Sequence, residues 1–279
     1  MTIAVCYLSP EGVVLGADST TTHGSQEGNH YFNHAQKVFE VGEGTAFGVV
    51  TWGLAGLGTC SYRTLIALLG DDLASNPATS VGDVALRFVD LLWPQYENFS
   101  GYQRFKDLDV KSGRTPDEDV EHTQLKADLV AGFCLAGHSG DRIAKAYEIL
   151  LDPLQGKPRP QELPPLTHKW WGVPNILQRM IFGGDINLHA SIMSSGKWTG
   201  TDQELWQIFK DQAFSHNVLP IREAIDFVHT CIRSTGKAMR YSQFAQVCGG
   251  PPEIAVITTD RKFRWVRHKS WDTAIEDGG

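Results

Sequence analysis

The first eighteen residues constrain this chain most. Met1-Thr2-Ile3-Ala4-Val5-Cys6-Tyr7-Leu8 is a short apolar run, Ser9-Pro10-Glu11-Gly12 is a turn signal, and Val13-Val14-Leu15-Gly16-Ala17 is a second apolar run ending at Asp18. Two such runs around a Pro/Gly turn predict a β-hairpin. With the initiator Met removed, as expected before a small residue, the chain begins at Thr2, at the end of a buried strand. That placement has chemical content. A Thr hydroxyl must lose its proton to attack a carbonyl, and a free α-amine on the same residue can accept it. Such an amine titrates at roughly 7.7–8.0, close to working pH. A lysine cation nearby favours the alkoxide, and a carboxylate holds that lysine in place. Asp18 ends the second run, and Lys37 opens a third in Gln36-Lys37-Val38-Phe39-Glu40-Val41.

The rest of the chain reads as hairpins and helices. Residues 22–33 are polar and glycine-bearing, and are expected to form a loop. Residues 38–41 and 45–50 make a second hairpin, followed by the glycine-rich Thr51-Trp52-Gly53-Leu54-Ala55-Gly56-Leu57-Gly58. Leu65, Leu68, Leu69 and Leu73 recur at helical spacing over residues 60–73. A second helix is expected over 80–93, capped by Ser80, with Pro94 as its end or residues 95–99 as its extension. Residues 95–126 read as an insertion whose polar stretch 111–119 is a loop; Asp117, Glu118 and Asp119 lack the glycine and ligand spacing of a calcium loop. Residues 129–136 and 142–151 form a third hairpin. The stretch 152–178 holds six of the thirteen prolines and cannot be a helix interior or a central strand. Helices are expected over 206–215 and 221–236, and a closing hairpin over 253–259 and 262–266.

Composition excludes several classes. A net charge of −7 argues against a broad nucleic-acid surface. No apolar run is long enough to span a membrane, and no basic segment leads a signal-like run. Cys6, Cys60, Cys134, Cys231 and Cys248 are scattered and contain no CxxC pair, which fits a reducing cytoplasm rather than a disulfide framework or a zinc ribbon. The Gly196-Lys197 pair lacks the upstream glycine of a phosphate loop. The reading calls for no metal and no organic cofactor.

Thr2-Ile3-Ala4-Val5, Gly16-Ala17-Asp18-Ser19-Thr20-Thr21-Thr22, Lys37-Val38-Phe39-Glu40 and the glycine-rich turn before a helix together resemble a proteasome β-type subunit, in character a bacterial proteasome-like protein. That family lies among the N-terminal nucleophile (Ntn) hydrolases. The likeness runs over residues 2–93 and more weakly over 127–150 and 179–268. It implies an α+β fold, a four-layer αββα sandwich of two mainly antiparallel sheets, as one domain over residues 1–279 with insertions at about 95–126 and 152–178. It implies threonine-type cleavage of peptide bonds. Thr2 would be the nucleophile, Lys37 its activating cation, Asp18 the residue that orients Lys37, and the Gly53 amide the oxyanion donor. Ser19 would give support, and main-chain groups at Thr21 and Thr22 would pair with an extended substrate. Arg179-Met180-Ile181-Phe182-Gly183-Gly184-Asp185 resembles a strand entering a glycine-flanked serine, with Gly184 at the serine position. Cys248 stands at a second serine position, and Ala245 where the family has an aspartate. The implied partners are a peptide or unfolded protein substrate, further copies of the chain in a homo-oligomeric ring, and an ATP-dependent unfoldase. Two alternatives stay open: a catalytically inactive subunit with an assembly or binding role, and an amide hydrolase of small molecules on the same fold.

Overall fold

The computed structural model describes residues 2–25, 28–58, 60–216, 218–243 and 247–269. In chain order the strands and helices are β1 (Ile3–Ser9), β2 (Gly12–Ala17), β3 (Thr21–Ser25), β4 (Gly28–Phe32), β5 (Val38–Glu40), β6 (Phe47–Gly53), α1 (Tyr62–Ser75), α2 (Val81–Glu97), α3 (Ser100–Val110) and α4 (Pro116–Asp128). They continue as β7 (Ala131–Gly137), β8 (Lys145–Leu151), β9 (Gln161–Glu162), β10 (His168–Gly172), α5 (Asn175–Phe182), α6 (Ile186–Ser194), α7 (Asp202–Asp211), α8 (Ile221–Tyr241), β11 (Glu253–Thr258) and β12 (Arg261–Arg267).

Two five-stranded antiparallel sheets form the body, in the orders β10-β1-β2-β11-β12 and β5-β6-β7-β8-β9. Strand sequence explains how they stack. In β1 every residue is buried, because alternate side chains enter different cores. Ala4, Cys6 and Leu8 point between the sheets. Ile3, Val5 and Tyr7 point outward, against Ala224, Val228 and Ile232 of α8. In β7, Cys134 and Ala136 face the space between the sheets, while Phe133 and Leu135 face Leu65 and Leu69 of α1 and Phe88 of α2. Three apolar cores thus separate four layers: helix, sheet, sheet, helix. The α+β class and the αββα layering expected from the sequence are what the chain adopts.

Gly16 lets the α8 layer come close. A Cβ there would lie 2.5 Å from Val228 Cγ1 and 2.8 Å from Ile232 Cδ1. Gly132 plays the same part between the sheets, where a Cβ would overlap the Trp52 ring. Trp52 stacks on Trp171 at 4.4 Å between centroids, and Trp171 donates to Glu148 Oε1 at 2.5 Å.

Several expectations are corrected. Within the expected loop 22–33, β3 and β4 pair antiparallel, with Thr21 opposite Phe32 and Thr22 opposite Tyr31. The second helix does not stop at Pro94 but runs to Glu97; Tyr96 is fully buried and donates to the Leu129 carbonyl at 3.1 Å, which holds the extra turn. The polar stretch 111–119 is a loop only at its start. Thr115 and Glu118 form a capping box, Pro116 occupies the first turn, and α4 begins there. Its acidic first turn then faces the positive end of the helix dipole. Within 152–178, β10 pairs along the edge of the first sheet, clear of Pro164, Pro165 and Pro174. The strand expected near Arg179 is the helix α5, with Leu177 and Ile181 buried four residues apart and Gly183 ending it at φ 75°.

Candidate functional site

The site is assembled where β1, β2 and β5 meet. Asp18 follows β2 directly and is 1% exposed. Its carboxylate is filled with donors. Oδ1 accepts the Ile3 amide at 3.1 Å and Lys37 Nζ at 2.7 Å. Oδ2 accepts the Thr20 amide at 3.1 Å and the Gly249 amide at 2.9 Å. Lys37 is also buried, and its ammonium donates to the Thr20 carbonyl at 2.5 Å. A buried ion pair is tolerated when remaining hydrogen-bonding capacity is met in this way. The amide of Val173 donates to the Thr2 carbonyl at 2.9 Å, fixing the chain start against the end of β10.

Thr2 and Lys37 open onto one cavity of about 860 Å³. Its wall also includes Thr20, Thr21, Thr22, Trp52, Gly53, Tyr62, Asp128 and Val130. Gly53 has φ 84°, and a Cβ there would strike the Val130 carbonyl, so only glycine fits. Thr22 Oγ1 is buried without a hydrogen-bond partner.

The other sequence-derived positions divide. Ser19 lies behind Asp18 and donates to the Pro251 carbonyl. Cys248 precedes Gly249 against Asp18; burial pushes its thiol up, and the Asp18 carboxylate pushes it further. A thiol held protonated is a hydrogen-bond donor and not a nucleophile at neutral pH. Gly184, the other support position, lies between α5 and α6, where a Cβ would meet the Phe209 ring of α7. Its neighbour Asp185 caps α6 through the Leu188 amide at 2.8 Å and takes Arg179 Nε at 2.8 Å. The segment beside Thr2 is Gly172–Val173. Ala245 and Met1 lie outside the described residues. Sequence reasoning missed Glu253, which is fully buried and accepts the Lys37 amide at 3.1 Å, and Lys269, which reaches it from beyond β12. Among the described residues, no group of three or more His, Cys, Asp or Glu side chains is placed to hold a metal ion, and no helix is long and apolar enough to cross a membrane.

Solved structures share this architecture. Anbu from Hyphomicrobium sp. strain MC1 matches with 11% identity over 99% of this chain and 96% of that chain, at a TM-score of 0.52. A Gly-1 mutant of Anbu from the same organism matches with 10% identity over 100% of this chain and 96% of that one, at a TM-score of 0.53. Anbu (ancestral beta-subunit) from Yersinia bercovieri matches with 12% identity over 100% and 92% of the two chains, at a TM-score of 0.48. No protein-family model matches the sequence, and no curated protein matches it. The two Hyphomicrobium structures bear out the Ntn-type fold over essentially the whole chain. They also correct the closer relationship expected from the sequence. At this identity the likeness is one of fold, and the chain is not a member of the proteasome β-subunit family on these grounds.

Proposed function

We propose that the chain is a threonine-type Ntn hydrolase that cleaves peptide bonds. The observation that carries this reading is the buried Asp18–Lys37 pair, whose lysine shares a cavity with Thr2. Removal of Met1 frees the α-amine. Thr2 Oγ1 attacks the substrate carbonyl while its own amine takes the proton. Lys37 stabilises the developing alkoxide, and Asp18 holds Lys37 towards it. The Gly53 amide receives the oxyanion, an interaction worth roughly 3 kcal/mol in hydrolases with a fixed donor. The leaving amine departs with the proton, an ester remains on Thr2, and water hydrolyses it by the same amine. Thr21 and Thr22, at the cavity wall, pair with the substrate main chain.

The proposal extends to a single domain over residues 1–279, a cytoplasmic setting and a homo-oligomer. Five free cysteines fit a reducing compartment. A Thr2→Ala variant should lose hydrolysis of fluorogenic peptide amides while its unfolding transition is kept. Equal turnover by the variant would reject the reading. Retention of Met1 in the purified chain would favour the non-catalytic alternative, because a blocked amine cannot act as the base.

A further inference from the structure

A second pair of opposite charges lies directly behind Asp18 and Lys37. Glu253 opens β11, which pairs with β2 so that Glu253 stands opposite Ala17, one residue before Asp18. Its side chain is wholly buried, and Oε2 accepts the Lys37 amide at 3.1 Å. Oε1 lies 3.3 Å from Lys269 Nζ and 3.7 Å from His268 Nε2, with no conventional hydrogen bond to either. Lys269 is only 11% exposed. It donates to Ser19 Oγ at 3.1 Å and to the Ala35 carbonyl at 2.6 Å. A lysine two residues beyond the last strand would ordinarily extend into solvent. Here burial draws its ammonium down, and the Glu253 carboxylate opposes that loss. A buried carboxylate and a buried ammonium are each costly alone and tolerable together.

The two side chains reach both halves of the primary pair. Glu253 holds the backbone of Lys37, and Lys269 holds Ser19 next to Asp18 and Ala35 two residues before Lys37. We propose that Glu253 and Lys269 are positioning residues that fix the Asp18–Lys37 pair and keep the cluster of four charges neutral, making Lys269, two residues after β12, a working part of the Thr2 site. The inference rests on the hydrolase reading above.

The groups facing Lys37 are Asp18 after β2, Glu253 at the start of β11, Cys248 before it, His268 and Lys269 after β12, and Thr2 at the start of β1. Glu253→Gln removes one of two buried carboxylates and leaves Lys37 and Lys269 with Asp18 alone. One of the two lysines then gives up its proton at lower pH. The double variant Glu253→Gln/Lys269→Met removes the extra cation and restores neutrality.

The experiment follows the rate of adduct formation with a peptide epoxyketone against pH in the wild type, the single variant and the double variant. Glu253→Gln should move the alkaline limb to lower pH, so that the rate on that limb falls severalfold at a fixed pH while the rate on the plateau is kept. The double variant should bring the limb back. A merely structural role would lower rates at every pH, and further in the double variant. In parallel, lysine ¹³Cε resonances are titrated by NMR. The resonance missing from the double variant identifies Lys269; one lysine should titrate at lower pH in Glu253→Gln, and a shifted lysine other than Lys269 should regain its wild-type behaviour in the double variant. Identical titration of every lysine, Lys269 included, in the wild type and Glu253→Gln, or no rescue of the limb in the double variant, would overturn the proposal. A wild type that forms no adduct would instead reject the Thr2 chemistry, and the lysine titrations would still decide the coupling.

Discussion

Asp18 and Lys37 are not equivalent members of their pair, and the difference is measurable. Lys37→Met removes the ammonium, which makes two contacts, to Asp18 Oδ1 and to the Thr20 carbonyl. Breaking a buried pair costs about 3–5 kcal/mol because the partner charge is stranded. Here Asp18 keeps the amides of Ile3, Thr20 and Gly249, so the lower end applies, about 3 kcal/mol. Asp18→Asn is worse. Its one carbonyl oxygen replaces two carboxylate oxygens, and its NH₂ turns towards amide donors. At least one buried N–H is orphaned, at about 1–3 kcal/mol, and Lys37 loses its counter-charge. The expected cost is about 5 kcal/mol. Urea unfolding of both variants reads the difference directly, provided the m value is unchanged. Asp18→Asn should lie about 2 kcal/mol below Lys37→Met. Equal stabilities, or a lysine variant weaker than the aspartate variant, would refute the hub role given to Asp18.

Other tests follow from burial and capping. Cys6, Cys134, Cys231 and Cys248 are buried, Cys60 is half-buried, and burial pushes the Cys231 thiol up to about 12. Native protein should therefore take one iodoacetamide label at Cys60 and five when unfolded; rapid labelling at Cys248 would contradict the protonated thiol assigned there. Asp185 is held below the usual carboxylate range: burial raises it, but the Leu188 amide and Arg179 outweigh that. A group whose folded value is depressed stabilises above its unfolded value, and that stability is lost as pH falls through the folded one. Asp185→Ala should cost about 2 kcal/mol at pH 7 and less near pH 2.5, read by thermal melting; a pH-independent difference would reject this account.

What the sequence reveals and hides follows from where the determining contacts lie. The first hairpin is legible because β1 and β2 are buried on both faces and so are continuously apolar. Lys37 is legible because it opens the next such run. α4 carried its own start signal in Thr115, Pro116 and Glu118, but its polar surface, with no buried residue, hid the helix. α5 reads as a strand because Met180-Ile181-Phe182 is locally apolar; only the Leu177–Ile181 spacing marks the buried stripe of a helix. Glu253 and Lys269 carry no local signal at all. Their place is set by the β2–β11 register and by the path of residues 268–269 after β12, which exist only once the sheet has formed.

The central claim is that Thr2 is a free N-terminal nucleophile. Intact mass of the purified protein, alone and after exposure to a peptide epoxyketone, tests it most directly, because the reagent forms its ring only with both a hydroxyl and a free amine. The account predicts loss of the Met1 mass and a single adduct that Thr2→Ala does not form. A chain that keeps Met1 and takes no adduct would contradict it.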